Sequence, residues 1–254
     1  MIYFYLLKEG ISMSIYSYDI NINFSDVDKN NQMSNKGILR LMQEVAGICS
    51  GSLGYGVNDV PKTGLAWLIL NWKLQIFSRP RTNTKLTINT WTRSENPLFS
   101  YRDFEVYDND ILVAKASSKW VLFDVNKKCI TKITPEIQEK YSCIDKFAFD
   151  DNSTKKLKEP KTLEFIMDYN VQRRDIDTNR HVNNLIYLDY AYEALPTEIY
   201  ENYNFSNIEI MYKHEAKLGD TLSIFYSNTE ENEYIVTIKN KEDNKLNAIV
   251  KLYN

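Results

Sequence analysis

A chain of 254 residues, 43% of them hydrophobic and 13% aromatic, can bury one large core or two smaller ones, which excludes a disordered protein. Its formal charge of −3 comes from acidic and basic residues scattered along the sequence without a basic arm, so nucleic acid is not an expected partner. Three cysteines at irregular spacing, Cys49, Cys129 and Cys143, predict neither a disulfide framework nor a metal site. We therefore expect a cytoplasmic protein with no metal and no cofactor.

The first residues do not read as a targeting segment. Met1–Leu7 is apolar, but it is shorter than a signal-peptide core and is followed at once by Lys8 and Glu9, so Met13 is a candidate for the true start. No later segment approaches the roughly 18 apolar residues of a membrane span. We expect no membrane span.

The first half of the chain predicts a strand, a helix and a run of strands. Apolar and polar residues alternate over residues 16–24 as in a half-buried strand. Apolar residues then recur at helical spacing, at Ile38, Leu41, Met42, Val45, Ala46 and Cys49. Glycines at 51, 54 and 56 predict the end of that helix. Segments rich in β-branched and aromatic residues predict strands at Gly64–Phe77, Lys85–Trp91, Phe99–Tyr107 and Ile111–Val125.

The same order of elements recurs in the second half. A strand is predicted at 165–171 and a helix at 185–195, followed by strands at 207–215, 220–227, 233–239 and 246–253. The polar residues 145–162 between the halves predict a linker, which gives an N-terminal unit of residues 13–144 and a C-terminal unit of residues 163–254. Asp26–Asn35 aligns with Asp175–Asn184 without a gap, which indicates an internal duplication.

The two copies differ at the positions that could carry out chemistry. The second copy has Asp177, Asn179 and His181, where the first has Asp28, Asn30 and Gln32. Farther on, Glu215 of the second copy aligns with Arg79 of the first. Because an imidazole is the side chain that exchanges a proton near neutral pH, only the second copy is predicted to be catalytic. A plainer interpretation remains open, in which His181 only makes hydrogen bonds and the asparagines cap a turn and a helix. His214 is read as structural because, in a strand, it would point away from Glu215.

Residues 175–196, DIDTNRHVNNLIYLDYAYEALP, resemble the active-site segment of the acyl-carrier-protein (ACP) thioesterases of plants and bacteria. Residues 99–104 and 117–134 are similar to segments of the same family, so the resemblance extends from about Met13 to Tyr253. It implies an α+β fold, a double hotdog, in which each of two tandem units wraps an antiparallel sheet around a long helix. It also implies hydrolysis of fatty acyl-ACP thioesters in fatty acid biosynthesis, with ACP as partner.

By this resemblance the catalytic group maps onto Asp177, Asn179, His181 and Glu215. Many plant members have a cysteine directly after the glutamate, whereas this chain has Ala216, so a cysteine nucleophile at that position is excluded. We expect a bacterial cytosolic form without the transit peptide of the plant enzymes. We expect Glu215 and His181 to activate a water while backbone N–H groups of Val182, Asn183 and Asn184 bind the oxyanion. The sequence leaves open whether Asp177 orients its neighbours or attacks the thioester itself.

Two further sets of residues are candidates for binding substrate. The first unit, which has lost the histidine and the glutamate, is expected to hold the acyl chain, with candidate lining residues Met42, Val45, Trp67 and Leu70. A basic rim around the active-site segments is expected to contact ACP or its phosphopantetheine phosphate, through Arg173, Arg174, Arg180, Lys213 and Lys217. Ordinary core packing and ordinary solvated charges are the competing interpretations of these two sets.

Three other functions are considered. An acyl-CoA thioesterase would use the same chemistry on a different thiol carrier. A hotdog dehydratase fits less well, because the Asp-x-Asn-x-His string with a distant glutamate suits attack by water on a thioester. A non-catalytic acyl-carrier-binding protein is disfavoured because the second copy retains both His181 and Glu215. Both a monomer and a homodimer are compatible with the sequence.

Overall fold

The structure is a computed structural model that describes residues 15–150, 156–229 and 232–254. The apolar opening stretch and Met13 lie outside these described residues. The chain divides into two compact units, the first of residues 1–70 and 75–154 and the second of residues 71–74 and 155–254.

In its described residues, the first unit is an antiparallel sheet with three α-helices. Its strands are β1 Tyr16–Asn21, β2 Leu65–Ile76, β3 Lys85–Asn96, β4 Phe99–Asp108, β5 Ile111–Asp124 and β6 Cys129–Thr131. They neighbour one another in the order β1-β3-β4-β5-β2, and β6 pairs with β5. The pairs β1/β3, β3/β4, β4/β5 and β5/β6 are antiparallel. The helices are α1 Asn35–Ser52, α2 Val60–Thr63 and α3 Pro135–Tyr141.

Helix α1 forms where the apolar stripe predicts it. The Ser34 hydroxyl caps its start by accepting a hydrogen bond from the Gly37 N–H at 2.9 Å. All six residues of the predicted stripe are buried, and α1 contacts β1 and β3. The helix runs one residue past Gly51, and Gly54, with φ +80°, takes the left-handed conformation just beyond its end.

The second unit repeats this arrangement with a shorter first helix. Its strands are β7 Glu164–Asn170, β8 Asn207–Tyr212, β9 Thr221–Asn228, β10 Tyr234–Asn240 and β11 Leu246–Tyr253. Their order is β8-β11-β10-β9-β7, all neighbours being antiparallel. Helix α4, Ile186–Glu193, contacts β10 and β11, and Pro196 stands directly before α5, Thr197–Asn202.

The predicted linker, residues 145–162, begins in a segment that is packed on the first unit. The Trp91 Nε1–H donates to the Lys146 carbonyl at 2.7 Å, and the Ala148 N–H donates to Asp103 Oδ2 at 3.0 Å. Asp103 is itself buried and paired with Arg93 at 2.9 Å. Residues 145–148 therefore belong structurally to the first unit.

Three predicted elements need correction. Strand β1 ends at Asn21, and Phe24, the last residue of the predicted alternation, is 88% exposed on a short 3₁₀ turn. The helix predicted at 185–195 stops at Glu193. The strand predicted at 207–215 stops at Tyr212, so His214 and Glu215 lie in the following loop and the strand argument for His214 does not apply. Strand β6 and the helices α2, α3 and α5 are not among the predicted elements.

Candidate active site

The loop that carries His181 is closed by its own backbone. A 3₁₀ turn at Arg173–Asp175 leads into it, and an isolated bridge pairs Ile176 with Val182. Between these two residues the Asp177 N–H donates to the His181 carbonyl at 2.9 Å. Arg180 takes a left-handed conformation with φ +65°, which turns the chain back.

Asp177 holds this turn together. Its Oδ1 accepts hydrogen bonds from the backbone N–H of Asn179 at 2.8 Å and from the backbone N–H of His181 at 3.4 Å. This is the usual way in which an aspartate side chain stabilises a tight turn. The Asn179 side chain is exposed. The observed contacts of Asp177 are therefore contacts that shape the loop.

The loop after β8 brings Glu215 to His181. The Val182 N–H donates to the Ala216 carbonyl at 2.8 Å, which joins the two loops beside their functional residues. Glu215 Oε2 lies 3.2 Å from His181 Nε2. The side chains are 57% and 33% exposed, respectively, so a water or a substrate can reach both. The predicted pairing of imidazole and carboxylate is present in the structure.

The first unit builds the same loop without these two groups. The Asp28 N–H donates to the Gln32 carbonyl at 2.8 Å. Asp28 Oδ1 accepts from the N–H groups of Asn30 at 2.8 Å and Gln32 at 3.0 Å. The Met33 N–H donates to the Pro80 carbonyl at 2.9 Å, matching Val182 and Ala216. The hydrogen bonds thus agree with the gapless alignment of the two copies.

Arg79 takes the place of Glu215 in the first unit and has a structural role there. Its Nη1–H donates to the Met33 carbonyl at 2.7 Å, and its Nη2–H donates to Asn35 Oδ1 at 2.6 Å. The first-unit loop thus has Gln32 and Arg79 where the second unit has the imidazole of His181 and the carboxylate of Glu215.

Two of the three predicted oxyanion donors are already used, which corrects that prediction. The Val182 N–H is bound to the Ala216 carbonyl, and the Asn183 N–H donates to the Asp175 carbonyl at 2.8 Å. Helix α4 begins only at Ile186, so these residues precede it. Within the described part of the chain, the Asn184 N–H has no hydrogen-bond acceptor. Of these three residues, only Asn184 has a backbone N–H that is available to a ligand.

Three tyrosines support these loops, of which Tyr190 is buried and Tyr169 and Tyr212 are half-buried, and sequence reasoning missed them. Asp175 is buried, and its Oδ2 accepts from the hydroxyls of Tyr190 at 2.9 Å and Tyr169 at 3.0 Å. The Tyr212 hydroxyl donates to the Asn184 carbonyl at 2.9 Å. Burial, and the hydrogen bond to Asp175, raise the pKa of Tyr190. At the aligned positions of the first copy stand Ile20, Leu41 and Ile76, and this difference was the available signal.

Comparison with known proteins identifies the family. The model of the acyl-ACP thioesterase N-terminal domain matches residues 14–141, and the model of the C-terminal domain matches residues 158–253. The chain belongs to the acyl-ACP thioesterase family.

Individual relatives agree with this assignment. The chain is 24% identical over 249 residues to an oleoyl-acyl carrier protein thioesterase of Coriandrum sativum, covering 91% of this chain and 67% of that protein. It is 24% identical over 243 residues to an Arabidopsis thaliana oleoyl-acyl carrier protein thioesterase, covering 89% of this chain and 66% of the relative. The chain thus spans about two thirds of the length of these plant relatives.

Solved structures establish the fold. The acyl-ACP thioesterase of Bacteroides thetaiotaomicron matches with a TM-score of 0.78 at 22% identity, over 94% of this chain and 97% of the other. The 12:0-ACP thioesterase of Umbellularia californica matches with a TM-score of 0.82 at 19% identity, over 98% of both chains. The predicted α+β double hotdog is confirmed.

The residues predicted to hold the acyl chain do not form one surface. Met42 and Val45 are fully buried on α1. Trp67 and Leu70 lie three residues apart on β2, and because side chains alternate along a strand, they point to opposite faces. The Trp67 Nε1–H donates to the Tyr141 hydroxyl at 2.9 Å, within a cluster beneath α3. Trp67 and Leu70 therefore cannot both line one channel.

The predicted basic rim lies on the surface of the second unit. Arg173, Arg180 and Lys217 are exposed. Arg174, also exposed, lies beside Asp175 with Nε 4.0 Å from Oδ1 and also bonds to Tyr169. A surface pocket of about 360 Å³ is lined by Val171, Gln172, Arg173, Arg174 and Leu218. Lys213 is exposed at the end of β8. The rim and the pocket adjoin both active-site loops.

The described residues contain no group of three or more His, Cys, Asp or Glu residues that could hold a metal ion. None of their helices is long and apolar enough to cross a membrane.

Proposed function

We propose that this acyl-ACP thioesterase family member hydrolyses fatty acyl-ACP to a free fatty acid and holo-ACP in fatty acid biosynthesis. The observation that carries the proposal is the 3.2 Å contact between His181 Nε2 and Glu215 Oε2 in the one copy that retains both residues. An imidazole and a carboxylate in contact, both open to solvent, form a proton-accepting pair for a water nucleophile.

The reaction needs a base, an oxyanion donor and a leaving thiolate. Water held by Glu215 and His181 attacks the carbonyl carbon and transfers a proton to the pair, and the C–S bond then breaks as the thiolate leaves and is protonated by His181. The Asn184 N–H is the donor available to the oxyanion.

In this mechanism Asp177 shapes the loop. Its Oδ1 contacts, with the N–H groups of Asn179 and His181, are reproduced by Asp28 in the first unit, where the imidazole is absent. A role in turn formation therefore accounts for its contacts, and direct attack on the thioester is not required. Asn179 is proposed to hold the water from the exposed side of the loop.

ACP is the proposed carrier of the acyl group. Support comes from the basic residues Arg173, Arg180 and Lys217 and from the pocket lined by Arg173 and Arg174, which suit an acidic protein and a phosphate group. The relatives include an oleoyl and a 12:0 enzyme, so no particular chain length is carried over from them. We propose that the first unit holds the acyl chain, because it has lost the histidine and the glutamate of the second unit.

A direct assay tests the proposal. Purified protein is incubated with acyl-ACPs of graded chain length and saturation, and thiol release is followed. The preferred acyl group is then offered on CoA. Higher kcat/KM on ACP supports the proposal, and higher kcat/KM on CoA would make the chain an acyl-CoA thioesterase. Binding of acyl-ACP without thiol release would indicate a non-catalytic carrier-binding protein.

A cytoplasmic location is part of the proposal. It is supported by three free cysteines, one of them, Cys129, exposed. Cell fractionation checks the location, and sedimentation of the purified protein distinguishes a monomer from a homodimer.

A further inference from the structure

Asn247, at the start of β11, is an amide buried beside the Glu215 loop. The residue is 1% exposed. Its Nδ2–H groups donate to the carbonyls of His214 at 3.0 Å and Glu215 at 3.3 Å. Its Oδ1 is buried and has no hydrogen-bond partner within the described part of the chain. A buried acceptor without a partner is unfavourable for folding, so a role in folding alone does not explain an amide at this position.

The loop around Glu215 depends on such contacts. Beyond Tyr212 the chain leaves the strand ladder, and Glu215 itself is mostly exposed. The Lys213 N–H donates to the Asn247 carbonyl at 2.8 Å, and the Ala216 carbonyl accepts from Val182. Between these two anchors, the amide of Asn247 is what binds the His214 and Glu215 carbonyls.

The first unit provides an internal comparison. There the Phe77 N–H donates to the Val113 carbonyl at 2.8 Å, the same bond that Lys213 makes to Asn247. Val113 is buried as Asn247 is. The copy that has Arg79 in place of Glu215 therefore has valine in place of the amide. The fold thus accepts an apolar side chain at this position in the unit that has no glutamate at the position of Glu215.

We infer that Asn247 is a positioning residue for Glu215: by holding the carbonyls of residues 214 and 215 it directs the carboxylate to His181. The inference rests on the proposed function, since it assigns Asn247 a role through Glu215. Loss of the amide frees the carbonyls of His214 and Glu215. Glu215 Oε2 is then in contact with His181 Nε2 in a smaller fraction of the molecules. Since Asn247 is buried and acts through Glu215, the effect is expected on kcat and not on KM.

The central variant is Asn247→Val, which copies the first unit. We expect kcat for acyl-ACP to fall about 10- to 100-fold, as small displacements of a catalytic group do, with KM within about twofold. Thr237→Val is the matched control, because it removes a buried hydroxyl without a partner in the described residues from the neighbouring strand β10. It should retain wild-type kcat.

A second pair protects the test against a folding defect. Asn247→Leu keeps the size of the side chain and Asn247→Ala removes most of it, and neither variant retains the Nδ2–H donor. Both should therefore lose kcat to a similar extent although their melting temperatures differ. Wild-type kcat in Asn247→Leu or in Asn247→Val would overturn the inference.

A double-mutant cycle separates this inference from the proposed function. In a Glu215→Gln background, Asn247→Val should cause no further loss of the residual rate, because the group it positions is already absent. A full additional loss would show that Asn247 acts elsewhere. If Glu215→Gln alone retains wild-type kcat, the proposed catalytic pair fails. If Glu215→Gln is inactive while Asn247→Val is normal, only the positioning role fails.

Discussion

Arg79 Nη2 lies 2.6 Å from Asn35 Oδ1 in the first unit, at the position where the second unit has Glu215. The same guanidinium binds the Met33 carbonyl. Two charge-assisted hydrogen bonds thus hold the start of α1, and the arginine that replaced the glutamate stabilises the loop. The second unit thus has the contact between His181 and Glu215, and the first unit has an arginine that bonds to its own loop and helix.

Removing that arginine is expected to weaken folding while leaving the active-site loop of the second unit intact. Arg79→Met should lower the free energy of unfolding by about 1–3 kcal/mol, because the Met33 carbonyl and Asn35 Oδ1 each lose a donor. Urea denaturation measures the change. Arg81→Met, which alters an exposed arginine two residues away, is the control and should unfold at the wild-type urea concentration. Equal midpoints for the two variants would contradict the role of Arg79.

The proposed catalytic pair, His181 and Glu215, gives a prediction on activity. His181→Ala and Glu215→Gln should each reduce kcat by about 10²- to 10⁴-fold, because each removes part of the base that activates water. Thiol release from acyl-ACP is the measurement. Gln32→Ala, the same truncation at the aligned position of the first unit, and Glu193→Gln, an exposed carboxylate on α4, should have wild-type rates. Substantial turnover in either active-site variant would refute the assignment.

Much of the fold could be predicted because it depends on local patterns. The stripe from Ile38 to Cys49 fixes α1, and the predicted strand 246–253 coincides with β11. The gapless alignment also predicts the matching loops, because Asp28 and Asp177 form the same turn.

The remaining features depend on contacts between residues distant in sequence. Strand β8 ends at Tyr212 because the chain turns away from β11 directly after the Lys213 N–H has bonded to the Asn247 carbonyl. The alternation of residues before Glu215 does not record this turn. The oxyanion prediction failed for Val182 and Asn183 for the same reason, since their acceptors are the carbonyls of Ala216 and Asp175. Propensity describes a residue's own conformation, and it does not identify the partner of its N–H.

Helix α1 contains two glycines whose replacement by alanine should change the stability of the protein in opposite directions. A Cβ at Gly37 would lie 2.1 Å from the Asp26 carbonyl oxygen, which is backbone and cannot move aside easily. Gly37→Ala should destabilise the protein by at least about 3 kcal/mol. At Gly47, exposed in the same helix, a Cβ meets nothing within 4 Å, so Gly47→Ala should stabilise by about 0.5–1 kcal/mol. Thermal unfolding of both variants measures the difference, and equal effects would contradict the close approach at Gly37.

Alkaline pH is expected to unfold the second unit through its tyrosines. Burial raises the pKa of Tyr187, Tyr190 and Tyr212 above that of a free tyrosine, about 10. Above pH ~10 the unfolded chain has lost these protons while the folded chain retains them, so the stabilisation is complete below that pH and falls as pH rises. Tyrosinate absorbance at 295 nm should therefore rise in two phases, the later one together with loss of circular dichroism at 222 nm. A complete tyrosinate signal before any loss of circular dichroism would contradict this coupling.

The basic rim gives a prediction on carrier recognition. Arg180 and the aligned Asn31 of the first unit both have a left-handed backbone conformation. Arg180→Asn therefore removes a charge and introduces a residue suited to that conformation. Combined with Lys217→Gln, it should raise KM for acyl-ACP up to about tenfold and flatten the dependence of KM on salt, because steering of an acidic partner weakens. Steady-state kinetics at several salt concentrations measures both effects.

The control for the rim variant removes the same number of positive charges at positions outside the rim. Lys132→Gln with Lys161→Gln removes two exposed lysines, one near strand β6 and one just before β7, and should leave KM and its salt dependence at wild-type values. A short uncharged acyl thioester of N-acetylcysteamine provides a second comparison, since it lacks both the acidic protein and the phosphate. Its KM should be the same for the rim variant and the wild type. If KM for this small substrate rises as much as KM for acyl-ACP, Arg180 and Lys217 act on the active-site loops and not on the carrier.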